Sequence, residues 1–300
     1  MAAVGFSSGA EAERPTGRLA FLSDETTPAV VIWTVRPDGT GLRKLTSVRL
    51  QAESEPEWSP DGSKIAYARS YECRRALFGS CEAIWTANAD GSDQRRLTPL
   101  RMQGRLAKRA VDFLGPTWSP DGQQIAYQQS IWQTRTSNLY VMNADGSGRK
   151  RLTRLSDAGD PAWSPSGGEI AFRHDGDIFV LNLGTGGVRR LTRTVANESL
   201  PQWSPDGRQI AYERWARRGE YEVYVMHADG SAKRNLSRRQ DVVDGSPVWS
   251  PGGELIAFVS DRVDDEPAIY ITPADGSGQA QKVRTPAVAV YELDWAPEIR

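Results

Sequence analysis

Short apolar runs alternate with polar turn segments along the whole chain, and the same order of runs recurs. Each unit starts with an extended segment that ends at a tryptophan, after which come Ser-Pro and a glycine-containing turn. An Ile-Ala-aromatic run, an apolar-aromatic run, an Asp-Gly turn and an Arg-Leu-Thr segment complete the unit. Asp-Gly favours tight turns because Gly adopts positive φ without steric cost. The pattern predicts four short antiparallel strands per unit, which we designate A to D in chain order.

The tryptophans that end strand A stand 40 to 60 residues apart, a spacing close to that of four-stranded propeller blades. The strand B run occurs six times, first at Leu19-Ala20-Phe21, and the last tryptophan phrase has no strand B after it. The two incomplete units therefore complement each other. We expect an all-β fold, a six-bladed β-propeller, in which the strand at Tyr291 to Ala296 closes the blade made by residues 18 to 46. The tryptophans are Trp58, Trp118, Trp163, Trp203, Trp249 and, in a degenerate copy, Trp295.

The phrases Trp-Ser-Pro-Asp-Gly-x-x-Ile-Ala-Tyr and Tyr-Val-Met-Asn-Ala-Asp-Gly-Ser resemble the WD40-like propeller repeat of the TolB family. The resemblance covers residues 18 to 297 and concerns only the propeller part of that family. It implies a non-catalytic propeller that binds a protein or peptide, and members of the family are commonly exported. We expect one propeller domain at residues 18–300, preceded at residues 1–17 by a flexible leader or the remnant of a signal peptide.

The charge balance restricts the class of partner. The chain has 37 Lys and Arg against 38 Asp and Glu, whereas a nucleic-acid binder needs a strongly basic face. No run of 18 apolar residues occurs, so we expect no membrane span, and we expect a monomer.

The two cysteines, Cys73 and Cys81, lie in one B-to-C connection, where they can form a disulfide or remain free thiols. A zinc site is disfavoured because no further ligands lie nearby. A disulfide would indicate an oxidising compartment, periplasmic or extracellular, and free thiols would be compatible with the cytoplasm.

Variation between repeats is confined to one face. The A-to-B and C-to-D turns form a uniform bottom face, whereas the B-to-C and D-to-A connections form an irregular top face, where we expect recognition. The longest insertion, Pro99 to Gly115, is expected to contain a short helix through Met102 to Val111 with its bases on one side. The candidate partner-binding residues are Arg101, Arg105, Arg109, Trp132, His174 and Trp215.

Acidic residues recur just before strand A, where the chain of a propeller enters the central channel. Converging carboxylates can bind Ca²⁺ or attract a cationic group of a partner, whereas separate ones are solvated or bond to turns. We expect no cofactor, with Ca²⁺ in the channel as the possible exception. The candidate channel-mouth residues are Glu53, Asp112, Asp157, Glu198 and Asp244, with Glu55, Asp160 and Glu292 nearby.

No catalytic constellation is evident in the sequence. The Gly-x-Ser-x-Gly string at residues 5–9 lacks the strand-turn-helix context in which that motif works. The repeated tryptophans are expected to pack between blades, and the paired bases of strand D to keep blade edges apart. A binding module is therefore expected; the alternative is a small hydrolase or lyase that uses the mouth carboxylates with a divalent metal and His174.

Overall fold

The computed structural model describes residues 15–24, 29–48, 51–72, 80–99, 102–103, 109–215, 220–238, 242–263, 266–283, 285 and 290–296. Their strands form six antiparallel sheets, one for each blade of a ring, so the predicted six-bladed propeller is confirmed. Among these residues there is no helix long and apolar enough to cross a membrane.

The strands follow the predicted order in every blade. Blade 1 contains β1 (Arg18–Ser23), β2 (Val31–Val35) and β3 (Arg43–Lys44), and blade 2 contains β4 (Glu53–Trp58), β5 (Lys64–Glu72), β6 (Ser80–Asn88) and β7 (Arg95–Arg96). Blade 3 contains β8 (Met102–Gln103), β9 (Arg109–Trp118), β10 (Gln124–Ile131), β11 (Thr136–Asn143) and β12 (Lys150–Arg151). Blade 4 contains β13 (Ala158–Trp163), β14 (Glu169–His174), β15 (Asp177–Asn182) and β16 (Val188–Arg190). Blade 5 contains β17 (Glu198–Trp203), β18 (Gln209–Trp215), β19 (Tyr221–His227) and β20 (Arg234–Asn235). Blade 6 contains β21 (Asp244–Trp249), β22 (Leu255–Ser260), β23 (Ala268–Pro273) and β24 (Gln281–Lys282), and β25 (Leu293–Ala296) follows it.

The ring closes through β25, as predicted. This strand pairs antiparallel with β1, with Leu19 opposite Trp295 and Phe21 opposite Leu293. The four side chains belong to one buried apolar cluster. The first blade is thus built from both ends of the propeller.

The insertion before blade 3 does not form the predicted helix. Residues 102–103 pair with 109–110 as a two-stranded antiparallel ladder, Met102 opposite Ala110. Val111 and Phe113 are only 2% and 3% exposed and pack in one cluster with Trp118. Both residues pair with β10, Val111 opposite Ile131 and Phe113 opposite Gln129, so this part of the segment is a strand and the helical spacing of the bases misled the prediction. Arg101, Arg105 and the side chain of Arg109 lie outside the described residues.

Apolar contacts between blades explain the repeated tryptophans and leucines. Trp58 packs in one cluster with Ile32 and Leu45 of blade 1 and with Tyr67 of its own blade. The threonine after that leucine has a separate role, since the hydroxyl of Thr46 accepts the Ile32 N–H at 3.0 Å. Four other blades repeat this bond, at Thr98, Thr153, Thr192 and Ser237.

The basic residues of strand D form hydrogen bonds to the neighbouring blade, in addition to placing charge on the outer edge of their own blade. Arg189 Nη1 donates to the carbonyl oxygen of Ala228 in the C-to-D turn of the next blade at 3.2 Å. Arg234 reaches the carbonyl oxygen of Asp275 at 3.3 Å, and Arg43 donates to that of Asp90. These side chains therefore link adjacent blades, a role that the sequence reasoning missed.

A glycine in these turns makes a specific contact between blades. Gly91 has φ +83°, and a Cβ there would lie 2.1 Å from the carbonyl oxygen of Leu45 in blade 1. Gly122 has φ +68° but no atom within 4 Å of its hypothetical Cβ. We expect Gly91→Ala to lower the free energy of unfolding by about 1–3 kcal/mol more than Gly122→Ala, because only the first adds a clash to the backbone strain. Urea unfolding of both variants tests this, and equal losses would contradict it.

Candidate functional site

A ring of equivalent positions lines the central channel, each three residues before the tryptophan that ends an A strand. The ring lines a cavity of about 80 Å³. Five members have φ between 48° and 52°, and each of these is followed by proline. In blades 2, 4, 5 and 6 the ladder between strands A and B shifts register here, which is a β-bulge that redirects side chains. The ring consists of Glu55, Gly115, Asp160, Leu200, Ser246 and Glu292.

Carboxylates of the ring connect one A strand to the next. Glu292 accepts the backbone N–H of Glu55, and Glu55 Oε2 accepts the N–H of Gly115 at 2.5 Å. Two residues further along the strands, Asp294 Oδ2 accepts the Trp58 N–H at 2.6 Å and Glu57 Oε1 accepts the Trp118 N–H at 2.9 Å. These acids therefore hold blades 1, 2 and 3 together around the axis.

Negative charge is concentrated on one side of the channel. Burial and the neighbouring Glu292 raise the pKa of Glu55 well above its usual value. Burial, with Asp112 and Glu292 nearby, raises the pKa of Glu82 to about 7. Asp160, by contrast, forms an ion pair with Arg173 at 3.1 Å. The acidic groups near Glu55 and Glu292 therefore disfavour one another's ionisation, and a cationic group placed beside them would favour their ionised forms.

Three of the five predicted mouth residues are buried within the blades instead. Glu53 is 2% exposed and pairs with Arg69 at 2.5 Å, and Asp244 is fully buried and pairs with Arg262 at 2.9 Å. Glu198 is fully buried and accepts from the Thr194 hydroxyl at 3.3 Å. The prediction that these side chains lie at the channel mouth was wrong for these three, because the first residue of strand A points into the blade.

The other two predicted mouth residues also have local partners. Asp112 accepts the Glu82 N–H at 3.1 Å and the indole N–H of Trp132, and Asp157 pairs with Arg173 at 2.9 Å. In the part of the chain that the structure describes, no three His, Cys, Asp or Glu residues form a group that could hold a metal ion. The five predicted carboxylates thus do not converge.

The predicted partner-binding residues differ in accessibility. Trp132 lies in the B-to-C connection of blade 3 and is 56% exposed, and Trp215 is the last residue of β18 and is 40% exposed. The side chain of His174 is only 14% exposed, with Nδ1 3.1 Å from the carbonyl oxygen of Asp157 and its ring edge-on to Phe179. The two tryptophans are therefore available to a partner, whereas His174 is occupied by contacts within its blade.

Exposed apolar side chains are concentrated on the top face. Of the large hydrophobic residues that are exposed in the described ranges, all but Val188 belong to B-to-C or D-to-A connections or, in the case of Trp215, to the end of strand B beside such a connection. In the rest of the described ranges only Val188 is a large hydrophobic residue that is exposed, so the top face differs physically from the uniform bottom turns. The residues are Trp132, Val195, Trp215, Val243, Val263 and Tyr291.

The B-to-C connection of blade 2 contains the two cysteines. Cys81 is 1% exposed and is disulfide-bonded. Cys73, the other cysteine of the chain, lies outside the described residues.

The repeat also matches known proteins. A family model described as the TolB beta propeller domain matches residues 100–241. The chain is a six-bladed propeller that is similar to the TolB propeller over these residues. The Tol-Pal system protein TolB of Thioalkalivibrio sulfidiphilus is 34% identical over 70 residues, 23% of this chain and 14% of that protein. Curated relatives are matched over only 14% to 36% of their own length.

Solved structures agree with this TolB-like fold. TolB from Acinetobacter baumannii aligns with a TM-score of 0.77 and 24% identity, over 94% of this chain and 67% of that one. A putative TolB from Agrobacterium tumefaciens aligns with a TM-score of 0.66 and 19% identity, over 92% and 91%. Propellers of peptidases and of an oligogalacturonate lyase also align, at 13% to 16% identity. At such identities the likeness concerns the fold alone.

Proposed function

We propose that this TolB-like propeller is a non-catalytic module that binds a protein or peptide through its top face and the acidic opening of its channel. The observation that carries the proposal is the concentration of exposed Trp, Val and Tyr side chains on the top connections. Large exposed apolar groups on a rigid scaffold are typical of interaction surfaces.

Trp132 has the features of an anchor residue. Its ring is more than half exposed, while its indole N–H is held by Asp112, which fixes the side chain before a partner arrives. A tryptophan that is ordered in advance loses little conformational entropy on binding, and tryptophans are enriched among the residues that dominate interface energies.

The acidic residues of the channel favour a partner that carries a positively charged group. Burial, and in addition the nearby Glu292, raises the pKa of both Glu55 and Glu82, so a cationic group of a partner would relieve the repulsion among these acids. Curated relatives are named as proteins of the Tol-Pal system, a name that fits a role in association with other proteins.

The disulfide supports an exported protein. Disulfides persist in oxidising compartments and are rare in the cytoplasm. Since Cys81 is disulfide-bonded, we place the protein in the periplasm or outside the cell.

A hydrolase or lyase that acts through the predicted mouth carboxylates is not favoured. Glu53 and Asp244 are buried in ion pairs with arginines, and Glu198 is buried beside Thr194. These groups are inaccessible to a substrate in the channel.

Site-specific photocrosslinking in cells tests the proposed face. A benzophenone amino acid at Trp132 or Trp215 should yield a discrete crosslinked product, and the same group at Val188, which is equally exposed but lies outside the top connections, should not. Trp215→Ser should weaken the product formed from position 132. Equal products from all three positions, or none from either tryptophan position, would contradict the proposal.

A further inference from the structure

A large cleft lies on the bottom face between blades 2 and 3, away from the proposed partner surface. Its volume is about 600 Å³, within the usual range of small-molecule sites. Thr86, Leu97 and Trp118, each less than 8% exposed, contribute to its lining. The A-to-B turns of both blades and the C-to-D turn of blade 3 complete its walls.

A hydrogen bond that connects other pairs of adjacent blades is not formed at this cleft. Arg43, Arg189 and Arg234 donate to carbonyl oxygens in the C-to-D turn of the next blade. Arg95 occupies the same position in blade 2, but its side chain donates no hydrogen bond to any residue in the described ranges. Its charge acts instead on the Asp145 carboxyl, whose pKa it helps to lower. Its expected acceptor, the turn at Ala144, lines the same cleft. The Arg95 guanidinium and the turn at Ala144, whose counterparts are hydrogen-bonded to each other between other blades, can therefore both bond to a ligand.

Other hydrogen bonds join blades 2 and 3 beside the cleft. Arg149 of blade 3 donates to the carbonyl oxygen of Leu97 in blade 2 at 2.7 Å, and Trp118 donates to that of Glu57 at 3.3 Å. The cleft is therefore a surface feature on a closed interface between two blades.

Charges of both signs line the cleft. Arg95 and Lys64 provide the cations, and Asp121 and Asp145 are among the anions. Asp121 Oδ1 accepts the Gln123 N–H at 3.0 Å and Asp145 Oδ1 accepts the Ser147 N–H at 2.8 Å, so each carboxylate is fixed through one oxygen. The hydroxyls of Ser119 and Ser147, together with these backbone hydrogen bonds, lower the pKa of both carboxyls, which keeps them ionised at neutral pH.

We propose that the cleft binds a short zwitterionic peptide, with its carboxylate at Arg95 and its ammonium group beside Asp121 and Asp145. A simple anion would face the carboxylates, and a simple cation would face Arg95 and Lys64. A peptide satisfies both signs, and its amide groups supply an acceptor and a donor in place of the hydrogen bond that is not formed between these blades. Its side chains would lie against Leu97 and the wall prolines.

Calorimetric titration with trialanine tests the proposal, with thermal melting as a second measurement. Arg95→Gln should weaken binding by about ten-fold or more, because a charge-assisted hydrogen bond is lost. It should change the melting temperature little, because no side-chain hydrogen bond to a described residue is lost and only the attraction to the exposed Asp145 carboxylate is removed. The matched control Arg43→Gln should lower the melting temperature and leave trialanine binding unchanged, since that arginine bonds to Asp90 and is not among the residues that line the cleft.

Blocked peptides separate the two ends of the ligand. Trialanine amide should bind the unmodified protein about as weakly as trialanine binds Arg95→Gln. N-acetyl-trialanine should bind weakly as well. Asp121→Asn should reduce the affinity for trialanine and for its amide, which keep the ammonium group, and leave that for N-acetyl-trialanine unchanged. Absence of trialanine binding at millimolar concentration, or equal affinity for Arg95→Gln and the unmodified protein, would overturn the proposal.

Discussion

A chain that ends before Leu293 should lose cooperative unfolding, because the last strand completes the first blade. Leu293 and Trp295 are 7% and 6% exposed and pack against Leu19 and Phe21. Removal of β25 would expose that cluster and leave β1 as an unpaired edge at the centre of the ring. It would also remove Asp294, which accepts the Trp58 N–H and connects blade 1 to blade 2. Calorimetry should then show a broad transition in which the van't Hoff enthalpy falls well below the calorimetric enthalpy.

A point substitution distinguishes the loss of the closing contacts from the effect of shortening the chain. Trp295→Ala keeps the backbone ladder but removes the ring from the cluster, and it should lower the free energy of unfolding by about 3–5 kcal/mol. Val188→Ala, at a residue that is 45% exposed, should change it by no more than about 0.5 kcal/mol. A truncated protein that melts as sharply as the full chain would refute closure by β25.

The fold could be predicted from the sequence because its determinants are local and repeated. An Asp-Gly turn and a buried tryptophan recur in nearly every unit, and each fixes the register of the strands beside it. The unmatched Leu19-Ala20-Phe21 and Trp295 phrases indicated closure without any knowledge of distant contacts, and the pairing of Leu19 with Trp295 confirms it.

The channel could not be predicted from the sequence because a bulge decides which residues face the axis. Glu53 and Glu55 both lie in strand A at alternate positions, so a regular strand would place both side chains on one face. The register shift between Ser54 and Glu57 separates them, and Glu53 enters the blade while Glu55 lines the channel. The proline that follows Glu55, and its counterparts in four other blades, was the available sequence signal.

The failed helix has a similar physical origin. Helical spacing of bases is a weak signal when apolar residues in the same segment alternate. Val111 and Phe113 gain more from burial beside Trp118 than a solvated basic face can offer. Alternation of apolar residues therefore outweighed the spacing of charges.

The carboxylates around the channel should make the protein more stable at mildly acidic pH than at pH 8. Burial raises the pKa of Asp294 from 3.8 to about 6, and burial with Asp294 nearby raises that of Glu57 well above its usual value. A carboxyl whose pKa is higher in the folded chain stabilises it fully below the unfolded value, and this contribution is lost as pH rises through the folded value. The melting temperature should therefore rise on acidification from pH 8 to about 5. Below about pH 4 it should fall, because turn carboxyls such as Asp61 have lowered pKa values.

Substitution of Glu57 and Asp294 by their isosteric amides tests whether these two carboxyls cause the pH dependence of stability. Glu57→Gln and Asp294→Asn keep an oxygen that can accept the Trp118 and Trp58 N–H groups, but they remove the charge. Each should raise the free energy of unfolding at pH 8, on the order of 1–2 kcal/mol, and change it little at pH 5. Asp61→Asn is the opposite control and should destabilise at pH 8, since its ionised carboxylate accepts the Ser63 N–H at 3.0 Å. Destabilisation by Glu57→Gln at pH 8 would show instead that the charge of this residue, despite its burial, helps to hold blades 2 and 3 together.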